Sequence, residues 1–234
     1  MPEKYSNDIP KESVVCDSSS LVSMSDSCLL WIISELSKSF KGYFIISKTV
    51  EYESVMHPLD MKSHTLGAIR LKKLLLENVV KVVETPNSRS ITSELLSLGN
   101  SVFSIGGRNL KLIHEGETET LALAIDLGVR NILIDERTTR MLIEAPLDLK
   151  SHMEGEFQSR IDVNEKHLRR FLDMTNGLNL FRSTELAIVG YEKGLFNDYV
   201  GMEKRAIEAV LYGLKFAGCG ISFSEIDEFC NSLK

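Results

Sequence analysis

The chain has 234 residues, with 27 Lys and Arg against 33 Asp and Glu and a formal net charge of −6, so any nucleic-acid contact must rest on a local basic patch rather than a global field. Hydrophobic residues make up 43% and charged residues 26%, ordinary for a globular protein with a real core, and no apolar run approaches the roughly 18 residues that span a bilayer. The polar start "MPEKYSNDIPKES" has no signal core, the four cysteines form no CxxC pair and the five histidines no HxxxH spacing, which points to a cytoplasmic protein with reduced cysteines, no membrane attachment and no structural zinc.

Residues 1–12 read as a frayed tail. "SVVC" (Ser13–Cys16) predicts a short apolar strand, and "DSSS" after it supplies turn and cap chemistry for a helix that ends near Phe40. "GYFII" (Gly42–Ile46) predicts a second strand, followed by a helix through Val50 to Met56 that His57-Pro58 stops. A helix over about 63–77 carries Leu66, Ile69, Leu74 and Leu75 on one side. "VVKVVE" (Val79–Glu84) is β-rich, Ser90–Leu98 is helical, and Gly106-Gly107 inside "VFSIGGRNLKLI" marks a hairpin. An acidic run (Glu115, Glu117, Glu119) then opens a helix that leads to the strand "NILI" (Asn131–Ile134).

Short strands alternating with helices predict an α/β fold with a central parallel sheet covered on both faces. After Lys150 the strand signal disappears, and helices are expected near 163–174, 183–194, 202–217 and 222–232, the last with a capping box of Ser222 and Glu225. The expected organisation is a domain over residues 13–145 and a helical C-terminal extension over 150–234, which packs on the sandwich or on a second subunit.

In open parallel sheets ligands sit beyond the carboxyl ends of the strands. Asp17 and Asp135 each follow an apolar strand there, and either taken singly reads as a helix cap. Glu117 continues the apolar face of Leu121, Ala124 and Ile125, whereas Glu119 shares a mixed face with Asp126. A first-turn glutamate complements the helix dipole, which suits Glu115 and Glu119 better than Glu117. Between Glu51 and Glu53, spacing alone does not choose. Convergent carboxylates repel one another, and hard divalent cations with oxygen ligands offset that repulsion. Mg²⁺ or Mn²⁺ held in this way activates water against a phosphodiester. Arg140, one turn past Asp135, is placed to orient a carboxylate or meet a phosphate.

The blocks "VVCDSSSLV", "IISKTVEYESV", "HEGETETLALAIDLG" and "NILIDERTTR" resemble PIN domains, metal-dependent nucleases with an α/β sandwich, in order and in spacing. The family's V-x-x-E pattern singles out Glu53, and its GExExxALA branch singles out Glu117. By this resemblance Asp17, Glu53, Glu117 and Asp135 form a metal-binding and catalytic quartet, with Ser19 as a supporting hydroxyl. The similarity spans about residues 13–145, and "VGYEKGLF" with "LKFAGCGISFSEIDEF" is similar to the tail of longer prokaryotic PIN proteins. The segment Leu147–Arg182 has no counterpart in the family pattern. The resemblance implies a PIN-like three-layer sandwich and a Mg²⁺- or Mn²⁺-dependent ribonuclease, with RNA or, second, DNA as substrate and association through the helical C-terminal region. The alternative is a PIN-like module that binds nucleic acid or protein without cutting.

Overall fold

The computed structural model describes residues 9–233. Most of the tail expected over residues 1–12 lies outside the described residues. Residues 9–12 are tied down: Ile9 packs on the core, and the Glu12 carbonyl accepts a hydrogen bond from Asn131.

In chain order, β1 (Val14–Cys16), α1 (Ser18–Asp26) and α2 (Leu30–Ser37) lead to β2 (Phe44–Ile46). Then come α3 (Lys48–Glu51), a π-helical turn (Tyr52–Met56), α4 (His57–Leu59), α5 (Thr65–Leu76) and β3 (Val80–Val82). Next are α6 (Ser88–Gly99), the hairpin of β4 (Phe103–Ile105) and β5 (Arg108–Asn109), α7 (Glu115–Leu127) and β6 (Asn131–Leu133). After these follow α8 (Arg137–Glu144), α9 (Pro146–Phe157), β7 (Asp162–Val163), α10 (Glu165–Thr175) and β8 (Asn179–Phe181). The chain closes with α11 (Ser183–Glu192), α12 (Glu203–Phe216) and α13 (Phe223–Ser232).

The main sheet is parallel throughout, in the order β3-β2-β1-β6-β8. Its strands are three residues long, too short for ladder hydrogen bonds alone to hold. Burial of both faces holds them, at about 1.5–3 kcal/mol for each fully buried aliphatic side chain. Strand alternation divides the core in two. Val14, Cys16, Phe44, Ile46 and Leu133 pack under α1, α2, α5, α11 and α12. Val15, Ile45, Ile132 and Ile134 pack under α6, α7, α8 and α10. The result is a three-layer α/β sandwich with β1 at its centre.

The structure corrects several expectations. The helix expected to reach Phe40 breaks at Cys28, whose φ of 59° is left-handed, so α1 and α2 are separate. The third helical segment runs through Pro58 and ends at Leu59, one residue beyond the expected stop. In α5 the buried face is Ala68, Leu71 and Leu74, while Leu66 and Ile69 are exposed. The larger correction concerns the C-terminal region, which is not wholly helical. β8 pairs with β6 as the edge of the main sheet, and β7 pairs antiparallel with β4 in a small second sheet. The boundary expected at 145–150 therefore does not coincide with a break in the sheet. The hairpin at Gly106-Gly107 is present, with φ of 56° and 79°, as is the Ser222–Glu225 capping box.

Candidate metal centre

Asp17 extends β1 by one residue and caps α1 in an extended conformation. Its Oδ2 accepts from the Ser19 N–H at 3.0 Å and from the Ser19 hydroxyl at 2.5 Å. Its Oδ1 is buried and has no hydrogen-bond partner. A carboxylate with one oxygen stranded out of water is costly. Burial accordingly pushes Asp17 up to about 6, against the pull of the Ser19 hydrogen bonds and with the charge of Glu53 adding to it. The Ser19 hydroxyl also accepts from the Asp135 N–H at 3.1 Å, so one side chain joins the ends of β1 and β6.

Glu53 reaches the same place from the π-helical turn. Its Oε2 accepts from the Ser18 hydroxyl at 2.9 Å. Its carboxylate lies against Gly116 in the first turn of α7, where an added Cβ would stand 2.7 Å from Oε2. Gly116 is needed there for close approach rather than for backbone freedom. Glu117, the next residue, accepts from the His114 N–H at 2.6 Å, completing a capping box. It is thus a helix cap and a member of the acidic cluster at once. Burial and then the charge of Asp17 push it up to about 7, against the His114 hydrogen bond, with Glu136 and Glu53 adding further repulsion.

Asp135 behaves differently. It is buried at the end of β6, and its two oxygens accept from the Ser183 N–H and hydroxyl, each at 2.7 Å. It lies beside Cys219, whose thiol is pushed up to about 11 by burial and then by the Asp135 charge. Glu136 caps α8 through the N–H groups of Thr138 and Thr139 at 2.9 and 2.5 Å, and its charge acts on Glu117. Alternation accounts for the split: Leu133 and Ile134 face opposite layers, so two adjacent acids diverge.

The structure therefore gathers Asp17, Glu53 and Glu117, with Ser18, Ser19 and Gly116 holding them. Asp135 adjoins through Ser19 while its carboxylate is bound to Ser183. Arg140 pairs with Glu144 on its own helix at 3.4 Å, and its Nε is buried without a partner. Ser183, Glu136 and Gly116 were not singled out in the sequence. A hydroxylic residue just after β8 and a glycine inside an acidic helix start were the available signals. Among the described residues, no three Asp, Glu, His or Cys side chains are drawn into one ligating sphere. Asp17, Glu53, Glu117, Ser18 and Ser19 offer only oxygen donors, the chemistry that suits a hard divalent cation, and the unpartnered Asp17 Oδ1 is the atom such a cation would satisfy.

Compared with family models, curated proteins and solved structures, the chain gives no match. Among the described residues, no helix is long and apolar enough to cross a membrane.

Proposed function

We propose that the protein is a divalent-metal-dependent nuclease of PIN-like type that hydrolyses phosphodiester bonds, with RNA as its substrate. The carrying observation is Asp17: a carboxylate buried at the carboxyl end of the central strand, one oxygen unpartnered, with Glu53 and Glu117 held beside it. Asp17 is buried, Glu117 half-buried and Glu53 exposed, and a buried carboxylate beside two further like charges is unfavourable unless something cationic joins them. The sequence resemblance to PIN domains supports the same reading.

Asp17, Glu53 and Glu117 would hold Mg²⁺ or Mn²⁺, with Asp135 completing the quartet through lone pairs that Ser183 leaves free. When bound, the cation supplies Lewis-acid activation of water and neutralises charge on the phosphate. The chain's own residues set the frame. Ser19 fixes the Asp17 carboxylate and the β1–β6 junction, Ser18 orients Glu53, and the capping box fixes Glu117. The test is RNA cutting by the purified full chain across a Mn²⁺ titration, with EDTA as the control. Cutting that requires the metal and is lost in Asp17→Asn and in Asp135→Asn supports the proposal, and cutting that survives EDTA overturns it.

One observation favours a second reading, a module that binds without cutting. The Asp135 carboxylate is already engaged by Ser183, as in an acid kept for structure. Mn²⁺ binding with no cutting of single-stranded RNA, structured RNA or DNA would select that reading.

A further inference from the structure

A cavity of about 230 Å³ opens beside Glu53, between α1, the π-helical turn and α5. Its deep side is apolar, formed by Ala68 and Leu71, which are buried, together with Val22. Its rim carries Asp26, His57 and His64, all exposed. One wall is held by two hydrogen bonds, from the Ser25 hydroxyl to the Gly67 carbonyl at 2.9 Å and from Arg70 to the Ser25 carbonyl at 3.0 Å. Gly67 permits this approach, since an added Cβ would stand 3.2 Å from Asp26 Oδ1. Neither the cap chemistry nor the proposed metal chemistry uses this cavity.

Its volume lies below the roughly 300–1,000 Å³ of pockets for drug-sized ligands, which leaves room for one ring system. An apolar floor with a few polar groups at its edge suits a planar heterocycle read along that edge. Glu53 lines the cavity and also belongs to the acidic cluster, so an occupant sits immediately beside the proposed cutting centre. An ionised carboxylate such as that of Asp26 accepts hydrogen bonds and donates none. A carboxylate there accepts from the exocyclic amine of guanine, adenine or cytosine, whereas uracil has no amine and offers only its N3–H, set between two carbonyls that repel the carboxylate.

We infer that the cavity seats one base of the substrate strand next to the bond that is cut, and that Asp26 selects bases bearing an exocyclic amine over uracil. This rests on the nuclease reading and adds a specificity to it. A strand entering the site would place one base against Ala68 and Leu71, with its edge toward Asp26 and its phosphate toward Asp17, Glu53 and Glu117. Loss of a site-to-base hydrogen bond leaves a polar group unpaired, which is why such sites discriminate.

The experiment has two arms, both on the full chain with Mn²⁺. In the first, calorimetric titration measures binding of guanosine, adenosine, cytidine and uridine 5′-monophosphates, which have no phosphodiester bond to cut. The three amine-bearing bases should bind about ten-fold more tightly than uridine, the size of one edge contact. Asp26→Asn, at an exposed position, should erase that difference, and Ala68→Leu should weaken all four by filling the floor. In the second arm, cut positions are mapped on random-sequence RNA, and uracil should be excluded from one position flanking the cut. Equal binding of all four, or a difference that survives Asp26→Asn, overturns the inference whether or not RNA is cut. Discrimination as expected but without RNA cutting upholds base selection by the cavity and sinks the nuclease reading instead.

Discussion

Replacing Asp17 by Asn separates its structural role from its charge. Asn is as good a helix cap as Asp and keeps an oxygen for the Ser19 N–H, so α1 should form as before. What disappears is a carboxylate that burial has pushed from 3.8 up to about 6, a displacement equivalent to about 3 kcal/mol between the two protonation states. The direction of the pH effect follows from proton uptake. Between about pH 4 and 6 the native state holds a proton that the unfolded chain has released, so stability falls as pH rises. Glu117, pushed from 4.5 up to about 7, extends the fall toward neutrality. The metal-free wild type should therefore unfold more easily at pH 8 than at pH 4. For a chain of this size, about 3 kcal/mol corresponds to roughly 6–12 °C in midpoint. Thermal unfolding in EDTA, followed by circular dichroism from pH 4 to 8, measures it. Asp17→Asn should flatten the part of the slope below pH 6, and Mn²⁺ at pH 8 should raise the wild-type midpoint far more than that of the variant. A wild-type midpoint flat across this range, or a variant with the wild-type slope, would refute the argument that Asp17 is a buried charge awaiting a cation.

Three further outcomes are expected. Gly116→Ala should leave stability within about 1 kcal/mol, since Ala favours the helix, yet lower Mn²⁺ affinity by about 10–100-fold by displacing Glu53; paired urea unfolding and metal titration check both halves. Glu117→Gln retains the capping box and should still lower metal affinity at least about ten-fold, as loss of a ligand exceeds loss of its support, whereas Glu119→Gln should change it little in the same titration. Arg182, which bonds Glu185, the Gly220 carbonyl and Glu225, anchors α13: Arg182→Ala should cost about 1.5–3 kcal/mol in urea unfolding. Burial works against the charge of Glu225, but the Ser222 hydrogen bonds and then Arg182 outweigh it and hold Glu225 down at about 2. That contribution is present above pH 4.5 and is lost as pH falls toward 2, a window that Arg182→Ala should shrink.

The parts of this protein that local chemistry decides were legible in its sequence. Apolar triplets bounded by turn residues marked β1, β2 and β6. Gly106-Gly107 marked the hairpin because only glycine takes two successive positive φ angles without strain, and Ser222 with Glu225 marked the start of α13. Glu117 stood out because an acid that extends an apolar face is costly to bury, whereas Asp17 taken singly read as a helix cap and drew notice through its pairing with Asp135 and the PIN resemblance. Tertiary structure decided everything that depends on a partner far along the chain. "NLF" became the edge strand β8 only because β6, some 48 residues earlier, offers it a ladder and a face to cover. Leu66 and Ile69 lie on an apolar side of α5, but α1 and the π-helical turn meet the neighbouring side, so the pair stays in water. The same holds at the centre. Glu53 is seated by the missing side chain of Gly116, a residue 63 positions away. Asp135 and Glu136, adjacent in the chain, are sent to opposite layers by strand alternation, one to Ser183 and the other toward Glu117. Periodicity states which residues share a face, and the packing of distant elements determines what that face meets.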